Sequence, residues 1–97
     1  MATPQLIAAV DGAIDTYEDL VGEYASRTRH MLDLHGYVEA LSRLVQNPDL
    51  QSGFKTLRDA GQLAVSFEAV VVEFADEFDP QVVSAAKWRL DNADDLL

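Results

Sequence analysis

The sequence predicts an all-α protein, a compact bundle of four to five amphipathic helices with short loops, and two observations carry this. Apolar residues recur every three or four positions along most of the chain. All three prolines follow a residue whose side chain can cap a helix, at Thr3-Pro4, Asn47-Pro48 and Asp79-Pro80. Proline at the first helical position gives up a donor that has no partner there anyway. With 97 residues, the chain is read as a single helical domain over 1–97. A chain of this size buries roughly 65% of the surface it exposes when unfolded, enough for one core.

The first helix opens at Pro4. Val10, Ile14, Tyr17, Val21 and Tyr24 follow in steps of 4, 3, 4 and 3 and form one stripe, widened by Leu6, Ile7 and Leu20. A helix from Pro4 to about Ser26 is expected, about 34 Å long. Its other face carries Asp11, Asp15, Glu18, Asp19 and Glu23 with no base between them. Gly12 and Gly22 lie off the stripe, each costing about 1 kcal/mol relative to alanine.

A second stripe runs through Leu34, Tyr37, Val38, Leu41, Leu44 and Val45. Two starts fit it. Asp33 caps it, with Ser26 to His30 as the connection, or the first helix continues through Met31 in heptad register. Asn47-Pro48 ends it and begins a third helix, with Leu50, Phe54 and Leu57 on one face and Gly61 as its stop.

Leu63, Phe67, Val70, Val71, Phe74 and Phe78 predict a fourth helix. Val65-Ser66-Phe67 and Val70-Val71-Val72 are β-formers, but a strand here has no second strand to pair with. The last helix starts at Pro80 and runs Val82, Val83, Ala86, Leu90, Ala93 and Leu97, with the last five as its core stripe.

The chain carries 17 acidic and 7 basic side chains, a net charge of −10 divided evenly between its halves. Direct nucleic-acid binding is not expected, because too few cations are present to displace phosphate counterions. Anionic membranes are poor targets for the same reason, and no apolar run is long enough to span a bilayer. The start of the chain lacks a basic leader, so the expected location is cytoplasmic.

No chemistry is assembled along the chain. Without cysteine there is no thiolate site. His30 and His35 are five residues apart, the wrong spacing for a helical metal pair. The glycines are isolated, and no serine has a base beside it. The carboxylates are expected on solvated faces, and the three small basic groups, Arg27 with Arg29, Lys55 with Arg58, and Lys87 with Arg89, are expected to pair locally with acids on that surface. No cofactor or metal is expected, and the protein is not read as an enzyme.

Trp88 is the odd residue. At 100° per residue it lies nearly opposite the last helix's core face, alongside Gln81, Ser84, Ala85 and Asn92. A tryptophan on a polar face marks an interface, unless the helix is buried on both sides. The leading reading is a small acidic, non-enzymatic helical protein that acts through protein–protein contact, as a homo-oligomer and most simply a dimer. Its candidate partner-binding residues are Trp88, Ser84, Asn92, Tyr17 and Tyr24, the two tyrosines on a coiled-coil-like seam.

The alternative is an acidic decoy or immunity-type inhibitor of a basic, nucleic-acid-binding or nuclease partner, with the first helix's acids standing in for phosphates. Lys87-Trp88-Arg89 is similar to part of the last helix of the colicin immunity proteins, over those three residues alone. High-salt habitats and GC-rich coding also enrich acids over lysine, so acidity by itself does not choose between the readings.

Overall fold

The computed structural model describes residues 2–47 and 52–95. Among them are six α-helices and no strand. They are α1 (Pro4–Val21), α2 (Ser26–His35), α3 (Tyr37–Gln46), α4 (Ser52–Asp59), α5 (Phe67–Glu73) and α6 (Pro80–Asp91). Short 3-10 turns follow at Leu63–Val65, Ala75–Glu77 and Ala93–Asp95. The radius of gyration is 12.2 Å, close to the roughly 12.5 Å expected for a compact chain of this length.

The first helix begins as expected. The Thr3 hydroxyl accepts from the Leu6 N–H at 3.2 Å, and the Glu77 carboxylate accepts from both the Thr3 N–H and its hydroxyl. The helix ends earlier than expected, at Val21. Gly22 turns left-handed (φ 70°, ψ 20°) and donates its N–H to the Glu18 carbonyl, which closes the last turn. Its 18 residues span about 27 Å.

Neither start foreseen for the second stripe occurs. Residues 26–35 are a separate helix, and the break falls at Gly36 (φ 81°, ψ 167°). That backbone conformation is essentially confined to glycine. The Gly36 N–H bonds the Leu32 carbonyl and its own carbonyl accepts from Ala40, so one glycine ends α2 and starts α3. This division raises the helix count to six.

Asn47 is extended (φ −91°, ψ 115°), as a residue before proline must be. The helix start at Pro48 and the expected core residue Leu50 lie outside the described residues, as does Leu97. Gly61 does stop α4: it is left-handed (φ 71°), the Gln62 N–H reaches the Leu57 carbonyl, and Gly61 reaches Arg58.

The expected fourth helix is broken into a 3-10 turn, α5 and another 3-10 turn. Buried Ser66 divides the first two: its hydroxyl accepts from the Ala69 N–H at 3.1 Å and donates to the Leu63 carbonyl at 2.7 Å. Residues 67–73 are helical, so the β-former content of Val70-Val71-Val72 does not decide their structure. At Asp79 proline placement holds, but the carboxylate does not cap; Val82 and Val83 donate to the Asp79 carbonyl instead.

The core joins Leu6, Val10 and Ile14 of α1, Leu32 of α2, Ala40, Leu41 and Val45 of α3, Val70 and Val71 of α5, and Val82 and Ala86 of α6, with Phe78. The pairing of α5 with α6 is the most extensive, and α3 packs on α6 and α1 on α5.

Candidate functional site

A cleft of about 300 Å³, with both apolar and polar lining, opens between α1, the start of α2 and α4. Such a volume lies at the lower end of ligand-sized pockets. Ile14 and Tyr17 reach it from α1, Met31 from α2, and Phe54 and Leu57 from α4, with Phe67 from α5. Tyr17 lies one turn beyond the core residue Ile14 on the same stripe of α1. Gly53 faces Tyr17 across the wall: a Cβ built there would stand 3.7 Å from Tyr17 Cε1, an ordinary contact. Glu23 and Arg27 supply opposite charges around the opening. Val21 and Tyr24 line it and are exposed, Tyr24 to 70%.

The α1–α2 connection is held by Arg29. It bonds Glu18 twice, at 3.0 and 2.7 Å, and Asp15 at 3.4 Å. The Ala25 N–H also donates to Glu18, and the Arg29 guanidinium lies 4.9 Å from the centre of the Tyr24 ring. The Arg29 bonds, then the Ala25 amide, lower the Glu18 carboxyl from its ordinary value to about 2. Asp11 accepts from the Tyr37 hydroxyl at 2.9 Å, and burial followed by that bond raises the phenol above its usual range. The expectation of a wholly solvated acidic face on α1 is thus corrected. Helices α2 and α3 place Arg29 and Tyr37 against it, and Asp11 and Glu18 serve internal contacts, while Asp15 stays exposed as expected.

At the cleft wall lies Glu68, whose carboxylate accepts from Arg89 Nη1 at 2.8 Å. Both residues are only 4% exposed. Arg89 also donates to the carbonyls of Leu44, at 3.0 Å, and Asn47, at 2.6 Å, where α3 ends. Burial pushes the Glu68 carboxyl upward, and the Arg89 bond pulls against it. This pair overturns the reading of Arg89 as a base paired locally on an acidic surface. It also corrects the core face of α6, which runs through Val82, Ala86 and Arg89 to Ala93 just beyond, while Leu90 is half-buried. The signal was in the sequence: Arg89 keeps the 4, 3, 4 spacing of those residues, and Glu68 lies three before buried Val71.

Of the expected contact residues, Tyr17 and Tyr24 meet at the cleft. They do not form a helical seam, because Tyr24 lies beyond the end of α1. Trp88, 56% exposed, and exposed Ser84 share the outer side of α6. The Asn92 amide donates to the Trp88 carbonyl at 2.8 Å and closes that helix. These three residues do not line the cleft. The sequence reading missed Met31, Gly53 and Glu68 as cleft residues. Phe54 and Phe67 looked like ordinary stripe members, since periodicity does not show where a neighbouring helix stops.

Among the described residues no group of three or more His, Asp or Glu side chains could hold a metal ion. Nor is any helix among them long and apolar enough to cross a membrane. No family model, no curated protein and no solved structure matches the chain.

Proposed function

We propose that this protein is a non-enzymatic binding module that acts through protein–protein contact, with the cleft between α1, α2 and α4 as its principal contact surface. One observation carries the reading. A cleft lined by Tyr17, Phe54 and Phe67 opens beside exposed Val21 and Tyr24. An apolar side chain of a partner would fill the cleft while Tyr24 and its neighbours cover the surround, the arrangement of a buried anchor with an enclosing ring. Self-association into a dimer is the second part of the proposal. Its support is exposed Trp88, now that the seam along α1 has lost its geometry. Charge mimicry is the weaker reading, because Asp11 and Glu18 of the acids on α1 are held by Tyr37 and Arg29.

Replacing Tyr24 with photo-reactive benzoylphenylalanine tests this in cells that produce the protein. A defined adduct, to another protein or to a second copy, is expected from position 24. Gly53→Phe, which fills the cleft beside Tyr17, should weaken it. The same probe at exposed Glu39 of α3 is the control. No adduct from position 24, or the same adducts from both positions, would reject the cleft as the contact surface.

A further inference from the structure

We draw no further inference here: the strongest candidate, the cleft between α1, α2 and α4, belongs to the site already described, and with Glu23 and Arg27 of opposite charge around its opening nothing in the structure shows what covers it.

Discussion

Replacing Arg89 with methionine should be among the most damaging single changes in this protein. Methionine keeps much of the arginine stem but removes every donor. The Glu68 carboxylate, 4% exposed, then has no counter-charge, and the Leu44 and Asn47 carbonyls lose the guanidinium. Breaking one side of a buried ion pair costs about 3–5 kcal/mol, a large share of the roughly 5–15 kcal/mol that holds a typical domain folded. With a urea m-value of about 1 kcal/mol/M, a loss of 3 kcal/mol moves the midpoint down by roughly 3 M. Glu68→Leu should be similarly costly, because it strands the guanidinium. The double variant leaves no buried charge. Its expected cost is about 1–3 kcal/mol, mainly the unmet Leu44 carbonyl, since Asn47 is exposed and its carbonyl can turn to water. The double variant should therefore be more stable than either single one. Urea titrations followed by far-ultraviolet circular dichroism give all four corners of the cycle. Single losses below about 1 kcal/mol, or a double loss equal to their sum, would refute the account of Arg89 and Glu68 as one coupled buried unit.

Two glycines of one helix should respond in opposite directions. Gly12→Ala, with nothing near its Cβ position, should stabilise by about 0.5–1 kcal/mol, whereas Gly22→Ala must place a side chain in a left-handed turn and should destabilise by about 1 kcal/mol; melting temperatures moving the same way would contradict the α1 boundary. Glu18 should remain ionised on acidification until about pH 2. Because its folded pKa is depressed, its contribution to stability is full above the ordinary value of 4.5 and is lost as pH falls towards 2. A carboxyl-resolved NMR titration placing Glu18 in the ordinary glutamate range would disprove its pairing with Arg29. Trp88→Ala should change folding stability by no more than about 0.5 kcal/mol, and acrylamide should readily quench the native indole in dilute solution. A blue-shifted, protected indole in the dilute monomer would mean that the ring is core.

Several features of this fold are legible locally. Thr3-Pro4 opens α1, Asp79-Pro80 opens α6, and Gly61 ends α4, because capping and turn geometry depend on a few neighbouring residues. The apolar phase of α1 and α3 is readable for a related reason: a stripe three or four residues in period has one way to face a core. Gly22 and Gly36 were visible as residues but not as boundaries, since a glycine inside a periodic run fits both a tolerated defect and a stop. What separates the two is whether the chain must turn to pack its next segment. Arg89, where Leu90 was expected on the core face of α6, escaped for a similar reason. Hydropathy sends arginine outward, and only the carboxylate of Glu68, 21 residues away, with the carbonyls closing α3, makes burial of Arg89 acceptable. The same holds for Asp11 and Glu18 of α1, which read as solvated until α2 and α3 bring Arg29 and Tyr37 against them. The cleft is the most remote from sequence, because it exists where three helices fail to meet. Periodicity reports which side of each helix is apolar, whereas the angle and length at which those sides come together depend on packing across the whole chain.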